Sequence, residues 1–430
     1  MSTKKNRRIY LDYAATTPLD PRVLRVMMPY LKNYFGNAGS VYEEGVVAKR
    51  ALLSLRAKVA RSLQCREAEV VFTSGGTESN NLAIFGAVPR FNLGSAKRLN
   101  LGTGEKIHIV TTNIEHSSVL EPIRELERRG AAVTYVAVGE NGIVDPKEIA
   151  KALRPETALV SVAYANNEIG TVQPIREISR VIKNYGSELR IKNYESRKEQ
   201  GPKIHNSKFI IHNSRSGKPF RPVFHCDASQ APLYLNCSLD YLGADLVTLD
   251  GHKMYGPKGV GALIVKRGTP LTPVFFGGGQ EGGLRPGTEN IPAIVGFAEA
   301  LALAVRGREK ESARLTKLRE YLYSLIRTNK RMGEVILNGD EKKRLPNNVN
   351  IFLLGVDTEF SVIQLDRHGI AVSTKSSCLR DEEESYVVKA LGGDPRRAKS
   401  SLRISLGHGT TKKDIDFFIQ TLQNLLSHHQ

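Results

Sequence analysis

Lys253 stands in DGHKMYGPKG (250–259), directly after the apolar run LVTLD (246–250). Most lysines are solvated surface charges. A lysine at the carboxyl end of a strand, inside a glycine-rich turn, sits where backbone and ligand approach closely. Desolvation there lowers its pKa and favours Schiff-base formation with a carbonyl. Asp227 closes FHCD (224–227), one strand–helix unit before Lys253. An amine for a Schiff base, and a carboxylate that keeps a pyridine nitrogen protonated, are what a pyridoxal phosphate (PLP) site requires. Asp227 also reads as an N-cap for a helix over ASQAP, a role that demands different geometry.

Other strand ends carry polar groups. EVVFT (69–73) runs into TSGGTESNN (73–81), a small-residue turn opening a helix. Its N–H groups from Gly76 on, with the Thr77 hydroxyl, can hold a phosphate, although ordinary strand–helix turns look similar. EHSSV (115–119) places His116 at another strand end. An imidazole there can stack on a flat ring and exchange protons, or serve a purely structural role. NNEIG (166–170) offers amides, Asn167 among them, that can donate to a phenolate oxygen or close a turn. STKSSCLRDEEES (373–385) puts Cys378 in a polar loop, so its thiol is expected to be exposed. Lys375 and Arg380 nearby are expected to lower that thiol's pKa, with the acidic run 381–384 opposing them. Cys65, Cys226 and Cys237 read as ordinary buried cysteines. GGGQEGG (277–283) lacks a surrounding strand–turn–helix and reads as a flexible or interface loop.

These groups need a scaffold that gathers strand ends. Strands are expected at 69–73, 106–112, 132–138, 158–164, 223–226, 246–250 and 261–266, with helices at 43–63, 77–88, 117–129, 146–153 and 175–184 between them. Alternating elements of this kind predict an α/β fold with a largely parallel, helix-covered sheet. Ligand groups in such sheets collect at the carboxyl ends of strands. After Pro292 the pattern changes to a long helix over 292–329. Then come NNVNIFLLG (347–355), a helix near 358–368, a strand near 370–373, LRISLG (402–407) and a last helix from Lys412. The chain therefore divides into a large domain, 18–300, and a smaller α+β domain, 1–17 with 301–430, that carries the Cys378 loop. Residues 187–221 break the rhythm with nine Lys/Arg, three Asp/Glu and a repeated IHNS. They read as a basic surface insertion, a hairpin or a partner-binding loop.

Composition limits the function classes. The net charge is +18, from 62 Lys+Arg against 44 Asp+Glu. A solvated basic surface accounts for it, because no C2H2, RNP or helix-turn-helix pattern marks a nucleic-acid module. Direct nucleic-acid binding is not expected. No apolar run nears the roughly 20 residues that span a bilayer, and MSTKKNRRI lacks the apolar core of a secretory signal. The four cysteines form no CxxC pair and no metal-ligand spacing, which fits free thiols in a reducing cytoplasm and no metal site.

Taken in order, the motifs closely resemble the NifS/IscS-type cysteine desulfurases, of the class V aminotransferase branch of fold-type I PLP enzymes. The resemblance runs from YLDYAATTP (10–18) through FGNAGSVY (35–42), VFTSGGTESNNLAI, IEHSSVL, NGIVDP, NNEIGTVQPI, HCDASQA, GHKMYGPKGVGAL and GGGQEGGLRPGTEN to SLRISLG (401–407). It implies that Lys253 binds PLP covalently, Asp227 faces the pyridine nitrogen and His116 stacks on the ring. Asn167 and Gln230 would contact the phenolate oxygen. Gly76, Thr77 and His252 would bind the phosphate, with Thr288 reaching in from the second subunit of a homodimer. Arg403 and Asn37 would receive the substrate, L-cysteine, and Cys378 would take its sulfur as a persulfide. A sulfur-acceptor protein would follow, an iron–sulfur scaffold or a tRNA-thiolation enzyme.

Three features depart from the family pattern. Asp250 stands where serine is usual, and a carboxylate facing a phosphate is repulsive, so Asp250 is expected to point elsewhere or the phosphate contact to be lost. Lys375 replaces a glycine, and the insertion is extra. Two rivals remain: a selenocysteine lyase or other PLP-dependent β-eliminating enzyme, and a non-catalytic RNA- or partner-binding protein on a PLP scaffold.

Overall fold

The computed structural model describes residues 8–88, 107–199, 221–328, 335–376 and 384–427. Its strands are β1 Ile9–Tyr10, β2 Val70–Thr73, β3 His108–Thr112, β4 Ala132–Val136, β5 Thr157–Ala163 and β6 Val223–Asp227. They continue with β7 Leu246–Asp250, β8 Gly261–Val265, β9 Val335–Leu337, β10 Asn348–Leu353, β11 Ile370–Ala371 and β12 Ser401–Ser405. Among the described residues, one sheet joins seven of them in the order β2-β8-β7-β6-β5-β3-β4. Pairing is parallel from β7 through β4, and β8 alone runs against its neighbours β2 and β7. The largely parallel sheet is therefore as expected, with one reversal that apolar runs do not reveal.

Period-two alternation explains how both faces are buried. Ile109, Leu159, Val223, Leu246 and Leu263 point into one core, and their neighbours Val110, Val160, Phe224, Val247 and Ile264 into another. Helices Gly76–Ala87 and Ser117–Arg128 cover the first face through Leu82, Ile84, Ile123 and Leu126. Helices Glu43–Leu63 and Ile291–Thr328 contribute Leu52, Val59, Phe297 and Leu301 to the second. A strand buried on both faces needs nearly continuous apolar residues, which is how these strands read.

A second sheet orders β12-β10-β9, all antiparallel, and β1 pairs in parallel with β11. The N-terminal segment thus lies beside the C-terminal elements, with Ser405 N donating to Leu11 O at 2.7 Å. One expectation fails. The helix foreseen over 175–184 runs as Ile175–Glu199, so the start of the supposed insertion is helical and not a hairpin. Its polar, charge-rich sequence hides the continuation; residues 200–220 lie outside the described residues.

Candidate active site

Strands β2, β3, β5, β6 and β7 all end on one edge of the sheet, and the turns after them enclose a cavity of about 180 Å³. Gly76, Thr77, His116, Asn167, Asp227, Gln230, His252, Lys253 and Arg403 all line it. Residues from five separate turns and from β12 therefore meet. Asn37 and Thr288 do not reach the cavity of this single chain, and both are exposed. Asn37 Oδ1 instead accepts from Gly39 N at 2.9 Å. Cys378 lies outside the described residues, although its near neighbour Ser376 lines the cavity.

Asp227 is 8% exposed. Its Oδ1 accepts from Ser229 N (2.9 Å) and Oγ (2.6 Å), and its Oδ2 from Asn80 Nδ2 (2.8 Å). Those donors occupy both carboxylate oxygens. They also turn it into the cavity, so it does more than cap the residues after it. Lys253 Nζ donates to Ala14 O (2.8 Å) and Ala15 O (2.7 Å) of the N-terminal segment. Gln230 Nε2 donates to the same Ala14 O at 3.0 Å. An amine and a buried carboxylate on one cavity suit a protonated pyridine ring that carries an aldehyde.

The helix Gly76–Ala87 opens at Gly75, whose φ of 150° is a glycine conformation and which has no side chain to cap the first turn. Asp250 takes that place. Its Oδ2 accepts from Gly76 N at 2.8 Å and lies 3.4 Å from His252 Nε2. Asp250 therefore does not turn away, which leaves the other expectation, a lost phosphate contact: free helix-start N–H groups attract any anion within reach. Burial opposes its charge, but His252, the Gly76 N–H and Lys253 together hold its carboxyl below the usual range. His252 Nδ1 bonds Thr16 Oγ1 at 3.0 Å, tying this turn to the N-terminal segment as well.

Arg403 and His116 reach the cavity from other elements. Arg403, on β12, is 1% exposed. Its Nη2 pairs with Asp12 Oδ1 at 2.8 Å and its Nη1 donates to Asn167 O at 3.3 Å. Its Nε is buried without a hydrogen-bond partner among the described residues. His116 caps helix Ser117–Arg128 by accepting from Ser118 N at Nδ1 (3.1 Å). That places the neutral ring's proton on Nε2. Beside it, burial pushes the Glu115 carboxyl up to about 8. Glu168 is fully buried, and burial raises its carboxyl too. It accepts from Ser376 N (3.0 Å) and Ser385 Oγ (2.5 Å), so one carboxylate holds both flanks of the stretch that carries Cys378.

Sequence reading missed Asp12, Asn80, Ser229, Glu168 and the carbonyls of Ala14 and Ala15. Asn80 and Glu168 lie inside motifs that attracted attention for other residues, so the signal was local. The carbonyls carry no residue-type signal at all. Within GGGQEGG, Glu281 accepts from Arg56 (2.5 Å) and Phe72 N (2.9 Å).

The aminotransferase class-V family model matches residues 9–191 and 211–418, leaving a gap inside the basic segment. Cysteine desulfurase IscS of Dictyoglomus turgidum is 39% identical over 421 residues, covering 98% of this chain and 95% of its own. A solved NifS-like protein superposes with a TM-score of 0.82 at 32% identity, over 98% of this chain and all of that one. The structure titled SspA in complex with cysteine gives 0.72 at 31% identity, over 93% of this chain and 98% of that one. With its strand-end turns gathered on one cavity and these relatives matched almost end to end, the chain belongs to the class-V aminotransferase family, among its IscS/NifS-type cysteine desulfurases.

Proposed function

We propose that the protein uses PLP to take sulfur from L-cysteine, leaving L-alanine and a persulfide on Cys378. The observation that carries this reading is the meeting of Lys253, Asp227 and Arg403 on one cavity. Lys253 would attach the cofactor, Asp227 would hold its ring nitrogen protonated, and His116 would face the ring. Asn167 and Gln230 would flank the phenolate oxygen. Thr77, Gly76 and His252 would take the phosphate, with Thr288 supplied by the partner in a homodimer. When bound, PLP supplies an electron sink for charge developing at the substrate Cα.

The chain's own residues do the rest. Arg403 fixes the substrate carboxylate, using donors that its Asp12 pairing leaves over. The Lys253 amine, or His116, takes the Cα proton. The Cys378 thiolate attacks the substrate sulfur, so the carbon–sulfur bond breaks as a sulfur–sulfur bond forms. The Cβ then gains a proton and the Cα recovers the one it lost, so alanine plus persulfide balance cysteine plus thiol. Burial pushes the Cys65 and Cys237 thiols up to about 12 and raises Cys226 as well. Those three disfavour the thiolate that such an attack needs. The persulfide would pass to an acceptor protein, an iron–sulfur scaffold or a tRNA-thiolation enzyme, in a reducing cytoplasm.

The test is mass spectrometry after incubation with cysteine. One extra sulfur should appear on the peptide that holds Cys378, and Cys378→Ala should lose sulfide release at least about a hundredfold. Full sulfide release by Cys378→Ala would remove Cys378 from the reaction.

A further inference from the structure

The donors that suit a phosphate are engaged by a side chain of the protein itself. Asp250 Oδ2 receives the Gly76 N–H at 2.8 Å and sits 3.4 Å from His252 Nε2, at the start of the Gly76–Ala87 helix. The crowding is close. A Cβ added at Gly76 would lie 3.0 Å from Asp250 Oδ2 and 3.1 Å from Ser229 Oγ. Asp250 itself is 9% exposed, so water offers little screening. The carboxylate thus occupies a share of the cradle that the PLP reading assigns to the phosphate.

We propose that Asp250 is a resident anion of the phosphate cradle, so that the phosphate of PLP enters together with a proton. This rests on the PLP reading and adds to it. Two buried anions on the same donors repel, and a proton between them removes that repulsion. The groups able to hold the proton are few. His252 and Lys253 face Asp250 from its own turn. The helix presents Gly76 N and Thr77, while its Glu78 is turned to Arg285 and Ser74 N. The turn after β6 presents Ser229, whose hydroxyl donates to Asp227. Lys253 is the amine that joins the cofactor. The extra proton therefore belongs to the set made by Asp250, His252 and the phosphate. A hydroxyl at position 250 would donate to the phosphate and need no such proton.

The experiment is rebinding of PLP to cofactor-stripped protein, followed by absorbance, for the parent and for Asp250→Ser. Pyridoxal, which lacks the phosphate, is the control ligand. As pH rises from about 6.5 to about 8.5, the parent should lose PLP affinity more steeply than Asp250→Ser, by up to about tenfold more per pH unit. At the upper pH, Asp250→Ser should bind PLP about tenfold or more tighter than the parent, with Asp250→Asn shifted in the same direction. Pyridoxal should bind parent and variant within about twofold of each other. Parallel pH curves for PLP, or weaker binding by both variants with pyridoxal binding intact, would overturn the proposal and leave the PLP reading standing. If neither ligand gives an absorbance change that Lys253→Ala abolishes, the PLP reading fails and this proposal with it.

Discussion

Arg403 is a buried side chain with one donor left over. A guanidinium has five N–H donors in a fixed fork. Asp12 Oδ1 and Asn167 O engage its two terminal nitrogens, and Nε is left without a partner among the described residues. A buried donor left unpaired is costly, so an arriving carboxylate gains by accepting from this fork. Lysine keeps the charge and loses the fork. Arg403→Lys should therefore raise KM for cysteine by about tenfold or more while cofactor absorbance stays unchanged. Steady-state kinetics beside an absorbance spectrum checks this, and an unchanged KM would show that Arg403 does not hold the substrate.

At the scale of elements, two histidines stitch the parallel sheet. His108 on β3 bonds Thr157 Oγ1 on β5 and Thr134 Oγ1 on β4, both at 2.8 Å. His225 on β6 bonds Ser161 Oγ on β5 at 2.9 Å and Thr248 Oγ1 on β7 at 3.0 Å. Burial lowers both rings to about 4 from an ordinary 6.5. The folded protein then binds fewer protons than the unfolded chain in that window. Their contribution is present above about pH 6.5 and is lost as pH falls towards about 4. Glu115 acts in the opposite sense. Burial raises it to about 8 from an ordinary 4.5, so its contribution is lost as pH climbs through that window. Urea midpoints should peak near about pH 6.5 and decline on both sides. Glu115→Gln, which stays neutral, should flatten the alkaline decline. A decline of the same steepness in that variant would assign it to other groups.

Across the whole molecule, the N-terminal segment joins the two sheets at the site. Leu11 N donates to Ala371 O and Ser405 N to Leu11 O. Ala14 and Ala15 offer their carbonyls to Lys253, Thr17 Oγ1 donates to His252 O, and Asp12 pairs with Arg403. Removing one partner of a buried pair leaves an uncompensated charge inside the protein. Asp12→Ala should destabilise the protein by about 3–5 kcal/mol, read from urea denaturation. A loss under about 1 kcal/mol would mean that the pair is solvated in practice. The variant should also retain PLP less well, because Lys253 and His252 rest on the same segment.

The sequence by itself determined most strands of the large sheet and which polar residues stand at their ends. Helix Glu43–Leu63 and strand Leu246–Asp250 were legible to the residue, since apolar periodicity and turn residues are local properties. The strand-end placement of Lys253 and Asp227 was legible for the same reason: each follows an apolar run and precedes a small-residue turn. Only the tertiary structure decided which strand ends meet and what completes each site. The reversal of β8 and the pairing of β1 with β11 depend on strands far apart in sequence. So do the Ala14 and Ala15 acceptors of Lys253, because a carbonyl is present at every residue and its use is fixed only by what packs against it. Asp250 shows the limit most plainly. Charge repulsion left two expectations, turning away or losing the phosphate contact, and only the tertiary structure set the Gly76 N–H, 174 positions away, against its carboxylate.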